Sequence, residues 1–375
     1  MKPIVMCIAL IAFLAVFAVP AFAEDAADSY ISRSGIYESA NALESETKQI
    51  LRDIGLENIT VEKVLGFEYA DVLKVFISAL KSGFSQHIKA ILLMVGTVIL
   101  AAFVEAPGEL GDKTKSVKIF GVIATLALML SIAVPLIQTI TKAALAVKSA
   151  AAFTISAIPV MCVICAAQGK GISAALSSGG AVGIAQVLSA LFAEVFVPLC
   201  HILLALGLSA AADVSFHFER IIRLVRKYVI IAISAGASLY FTVLSLRTSI
   251  SSAVDESTVK TIKFASSNFV PVIGSAISDS AVAVAASLAV SKNAIGVFGI
   301  ICVAAIFLPL IAELLIWMLA LEVSALIADI FSVEPLKNGL KSVADALSLV
   351  LVIVLFGAVL CIIHFGVLLS LRGAS

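Results

Sequence analysis

Ionisable side chains inside otherwise apolar runs are where this chain could do chemistry. Glu194, Glu313 and Glu322 each interrupt a stretch of aliphatic residues, and Asp279 follows a polar, proline-containing segment. A carboxylate at membrane depth is costly when it faces lipid, so such groups point into a bundle or a wet cavity. There they carry protons or ions, or pair with a buried base. The segment from Lys263 to Asp279 is too polar for a lipid-facing helix and too apolar for a loop. Asn268, Pro271 and Gly274 recur in it at three-residue intervals, a pattern that favours locally unwound backbone. Unwound backbone persists at that depth only when it is buried in protein or lines a cavity. Two readings stand open: a pore, ion or substrate element, and a packing device between helical units.

Other chemistry is absent or weak. There is no His-Glu-x-x-His, no P-loop and no Gly-x-Ser-x-Gly turn. The four histidines (His87, His201, His217, His364) show no ligand spacing, and His201 reads as an interior histidine rather than a ligand. Cys162-x-x-Cys165 sits in a hydrophobic run without a second ligand pair, where thiols behave as small hydrophobes. No catalytic residue, metal site or cofactor is expected, and an enzyme is not the expected class. Arg220, Arg223, Arg226 and Lys227 suit an interfacial helix under lipid phosphates, or else the docking of a cytoplasmic partner.

The elements that must position these groups follow from composition. Of 375 residues, 61% are hydrophobic and 13% charged, and mean hydropathy is +1.15. Soluble domains are about a quarter charged, so this chain cannot cover a water-facing surface. Lys+Arg and Asp+Glu both number 25, and nothing in that balance calls for nucleic acid. The expected fold is all-α, a polytopic helical membrane protein.

Residues 1–23 read as a cleavable signal peptide: Lys2, an uncharged apolar run, then Ala21-Phe22-Ala23. Residues 24–87 form an exported region with six Lys/Arg against eleven Asp/Glu. Val61, Val64, Leu65, Val72, Leu73, Phe76, Ile77 and Leu80 recur there at helical spacing. That stripe is expected to lie on the membrane face, to dock on a partner, or to pack on the chain's own spans.

A span needs about 20 apolar residues. Segments 88–104, 119–140, 151–167, 181–212, 228–246, 265–291, 294–331 and 343–371 qualify. Two are too long, and each has a central proline near an acid, so hairpin breaks are expected at Pro198 and Pro309. Phe153–Val160 resembles Phe264–Val272, and Phe241–Arg247 resembles Phe365–Arg372. The expected organisation is therefore two leading transmembrane helices (88–148), repeat 1 (149–247), a linker (248–263) and repeat 2 (264–375). Placing the basic clusters inside gives parallel repeats, with Lys292, Lys337 and Lys341 all cytoplasmic.

The run Phe264-Ala-Ser-Ser-Asn-Phe-Val-Pro-Val-Ile-Gly274, with Ser278-Asp279 and Lys292-Asn-Ala-Ile-Gly296, resembles the stage III sporulation protein AE family. The resemblance covers nearly the whole mature chain. It implies a membrane protein of the mother cell, in the outer forespore membrane, belonging to a secretion-like channel complex needed for late forespore gene expression. Implied partners are the other stage III membrane proteins, including ring-forming and ATPase subunits, and a forespore-side channel protein. It implies no catalytic residues. The competing function is a permease moving a small solute or ion, with its site at the repeat interface.

Overall fold

The computed structural model describes residues 40, 43–56, 60–67, 69–105, 115–168, 189–210, 218–267 and 274–370, with scattered positions between 175 and 187. The expected signal peptide, Asn268 and Pro271 lie outside the described residues. Every regular element described is helical: α1 (Ser45–Asp53), α2 (Val61–Leu65), α3 (Tyr69–Glu105), α4 (Lys115–Ala167), a π turn (Phe192–Phe196), α5 (Val197–Ala210), α6 (Phe218–Ser267), α7 (Gly274–Ile330) and α8 (Glu334–Ser370).

Among the described residues, six helical stretches are long and apolar enough to cross a membrane: Leu73–Leu100, Thr125–Ala167, Ser189–Ala210, Arg220–Leu246, Ser287–Ile330 and Glu334–Leu369. The α7–α8 pair is the centre. The most apolar windows of the last two stretches are 89% and 78% buried inside the protein, against 11% and 6% for those on α3 and α6. The apolar surface of these two helices is mostly enclosed by the protein, and Leu319, Leu326 and Ile330 toward the end of α7 stay exposed. Leu92, Leu93 and Leu100 on α3, and Leu224, Ile231 and Leu239 on α6, stay exposed, as lipid-facing surface requires.

The turn between α7 and α8 is built from backbone. Val333 N–H donates to Ala328 O at 3.0 Å and Ser332 N–H to Asp329 O at 2.9 Å, which is the Schellman arrangement at a helix C-terminus. Ser332 takes the left-handed position with φ 58°, unusual for a residue with a Cβ. Lys337 then ties the corner, 2.7 Å from Asp329 and 3.2 Å from Glu334. Removing the Cβ should relieve strain: Ser332→Gly is expected to raise stability by about 1 kcal/mol. A denaturation midpoint in detergent checks this; a lower midpoint would show that the serine contributes something beyond its backbone.

The two arms then run antiparallel with very close contact. A Cβ on Gly299 would lie 2.4 Å from the Phe365 ring, and one on Gly296 would lie 2.4 Å from Leu369. Small residues let helix backbones approach where hydrophobic association is not available. Around this hairpin, α4 packs through Phe153 against Phe365, with ring centroids 6.0 Å apart. Gly207 brings α5 onto the Val343 backbone of α8.

Several expectations change. Pro309 lies inside α7, a continuous helix of 57 residues, so the chain does not reverse there. A proline in a helix removes one backbone bond and bends the axis, but packed neighbours hold the two halves in line. Pro198 likewise starts no hairpin. It lies inside the continuous helical stretch Ser189–Ala210, and the π turn just before it absorbs the irregularity left by the missing donor.

Segments 119–140 and 151–167 belong to one 53-residue helix, so they are not successive crossings in opposite directions. The polar interruption between them, from Thr141 to Ser149, continues the helix without a break. Lys292 is buried on α7 rather than in a loop. About 57 Å of helix axis separates it from the α7–α8 corner near Lys337, so the two do not share one face of the membrane. The expected boundaries at 87–88, 148–149, 247–248 and 263–264 all fall within helices.

The amphipathic stripe packs on the protein's own helices only in part, through Val64 and Phe76, while Leu73 and Ile77 stay exposed. Leu51, Leu56 and Val64 are buried in the main core, and Val75 and Phe76 cover Ala304 and Leu308 of α7. Gly55, at φ 77°, closes α1 and turns the chain toward that surface.

Candidate functional site

Among the described residues, Glu313 is the sequence-nominated acid that the fold surrounds with partners from other helices. It is nearly buried on α7, one turn after Pro309. From α4, the Thr139 hydroxyl donates to Oε1 at 2.7 Å and the Lys142 ammonium donates to Oε2 at 2.9 Å. The spacing is what one helical face demands, since positions three apart lie side by side. From α3, His87 Nε2 sits 3.5 Å from Oε1, longer than a hydrogen bond, and the imidazole leans on Trp317 with ring centroids 5.3 Å apart. Trp317 is one turn beyond Glu313 on α7, so three helices meet at one acid.

Electrostatically the centre is a compensated pair. Glu313 exposes 12% of its side chain and Lys142 45% of its own. The carboxylate is therefore desolvated, while the ammonium still reaches outward along its alkyl stem, as long basic side chains do. His87 Nε2 and Trp317 Nε1 are buried atoms with no hydrogen-bond partner among the described residues. A polar network left partly unsatisfied is sensitive to any change in charge or solvation.

The same acid borders a cleft of about 180 Å³ between α1, α3 and α7. Gln49, Asp53, Ser78, Ser82, Gln86 and Glu313 supply its polar lining, with Pro309 beside them.

Of the other sequence-nominated residues, those described do not converge here. Glu194 is exposed on the π turn and Glu322 is exposed on α7. Gly274 opens α7, and the side chain of Asp279 lies outside the described residues. Arg220, Arg223 and Lys227 are exposed on α6, whereas Arg226 turns inward and pairs with Asp345 of α8. Arg226 thus joins two helices rather than facing lipid phosphates. A second polar contact on the same seam places Tyr240 Oη 3.4 Å from His364 Nδ1. Among the described residues, no group of three or more His, Cys, Asp or Glu is placed to hold a metal ion.

Sequence reasoning missed Thr139, Lys142, His87 and Asp345 as site or pairing residues. Lys142 left a signal, a cation amid mostly aliphatic residues, but it falls between two segments that each qualify as a span. His87 carried none, because nothing near it in sequence pairs with it.

Comparison with known proteins agrees with the resemblance noted in the sequence. The sequence model of the family described as Stage III sporulation protein AE matches residues 48–371, a range that takes in all eight α-helices except the first three residues of α1. A curated relative, the Stage III sporulation protein AE of Bacillus subtilis (strain 168), is 24% identical over 163 residues. That alignment covers 43% of this chain and 41% of the relative, so the matched part spans about two fifths of that protein's length. No solved structure matches. With the family pattern running from α1 to the end of α8 over an all-helical membrane fold, the chain belongs to the stage III sporulation protein AE family.

Proposed function

We propose that this protein is an integral component of the channel complex, secretion-like in organisation, that joins mother cell and forespore and sustains late forespore gene expression. It sits in the mother-cell membrane around the forespore, with its N-terminal region outside the cytoplasm. Its role is that of a non-enzymatic platform for the ring-forming, ATPase and forespore-side subunits. The observation that carries this reading is the family match over residues 48–371. The packing of α1 and α2 on α7 supports it, because a partner engaging the N-terminal helices would bear directly on the central hairpin. Cleavage after residue 23 and a duplication relating 149–247 to 264–372 belong to the same proposal.

The test uses a spore-forming host lacking the protein. Late forespore reporter activity after engulfment should be lost, and the complementing full chain should restore it and co-purify with ring-forming subunits. Normal reporter activity in the null strain would overturn the proposal. Asp279→Asn should leave the reporter on. Silence at normal membrane level would instead favour a permease with a conducting site near the start of α7.

A further inference from the structure

The cleft beside Glu313 has a chemistry that the channel reading does not use. Its two ionisable lining residues are both carboxylates, Asp53 on α1 and Glu313 on α7. Its other polar lining residues are two amides, Gln49 and Gln86, and two hydroxyls, Ser78 and Ser82. Lysine, arginine and histidine are absent from the lining among the described residues, because Lys142 and His87 approach Glu313 without reaching the cleft.

Glu313 is not saturated by its helix partners. An ionised carboxylate offers about four lone-pair positions. Thr139 and Lys142 donate to one oxygen each, and His87 stands beyond hydrogen-bond length. Acceptor capacity remains for a donor arriving through the cleft. Its 180 Å³ holds several waters, each occupying about 30 Å³ in the liquid, so it admits a molecule larger than a bare ion. The apolar strip of Ile50, Val75, Ala79 and Pro309 suits a short methylene chain between polar ends.

We propose that this cleft is a binding site for a small organic cation, with ammonium groups held by Asp53 and Glu313 and the hydroxyl and amide groups completing their hydrogen bonds. Occupancy ties α1 to α3 and α7, so the ligand stabilises the seat of the N-terminal helices on the bundle. Binding to the isolated protein does not depend on the channel role. A failure here leaves that reading standing, and the reverse is equally true.

The experiment uses the full chain in nanodiscs and three probes of similar length: 1,4-diaminobutane, 1,4-butanediol and succinate. Calorimetric titration should give saturable binding for the diamine alone, and thermal unfolding should shift upward with it. Asp53→Asn should weaken binding about tenfold, the equivalent of one lost charge-assisted contact of about 1.4 kcal/mol. Ser82→Leu, at an exposed position on α3, should fill the cleft and abolish binding without lowering the unliganded midpoint. Equal binding of the diol or of succinate overturns the proposal, as does no detectable diamine binding. So does diamine binding unchanged in both variants, because the cation would then sit elsewhere.

Discussion

Lys142→Met is expected to cost the folded protein about 2–3 kcal/mol, more than Glu313→Gln, with the double variant recovering part of the loss. Removing one member of a buried ion pair costs roughly 3–5 kcal/mol, since the survivor is left uncompensated in a low-dielectric site. Here the survivor is Glu313, whose side chain is 12% exposed and whose remaining donor is the Thr139 hydroxyl. The figure is set lower because Lys142 is 45% exposed and part of its charge is already solvated. In the opposite single variant the glutamine carbonyl still accepts from Thr139, and the free ammonium extends to water. A double-mutant cycle on the purified chain in detergent isolates the pair term. Additive effects of the two changes would mean that the contact contributes nothing to folding.

Gly299→Val is expected to lower stability by about 3 kcal/mol and to reduce accumulation in the membrane. A Cβ at this position would meet three atoms of the Phe365 ring at 2.4–2.7 Å, well inside contact distance. Phe365 is fully buried and braced by Phe153, so the ring has nowhere to move. Overpacking a tight core typically costs about 1–3 kcal/mol, and a branched side chain against a fixed ring falls at the upper end. Phe365→Leu should rescue part of the loss by opening space. Gly296→Val meets Leu369 at the same distance, but that aliphatic side chain is only half-buried and can yield. The milder effect at Gly296 is the internal control. Equal tolerance at both positions would mean that α7 and α8 do not pack in this register.

Some of this was legible from the residues alone. Glu313 stands out because a carboxylate between Ala312 and Leu314 in an aliphatic run has few inexpensive places to be. His87 and Lys142 could not be assigned to it, because they stand 226 and 171 residues before Glu313 and no local pattern links them. Pro309 and Pro198 misled for a related reason. A proline's local cost is real, but whether the chain reverses or merely bends depends on what packs against it. The 141–149 interruption failed in the same way. Lys142 looks like a loop residue until Glu313 supplies a partner, after which the helix runs on through it.

Arg226 shows the same division on another seam. Its spacing with Arg220, Arg223 and Lys227 describes one basic cluster, yet only its place opposite Asp345 decides that it turns inward. Composition by itself determined that this protein is helical and lies in a membrane. Too few charges remain to face water, and in hydrocarbon a helix satisfies its backbone within one segment. The tertiary structure alone decided which prolines merely bend, which cations pair and which acid becomes a centre. Those outcomes depend on contacts between distant segments, and the energy of such contacts is written in neither residue taken singly.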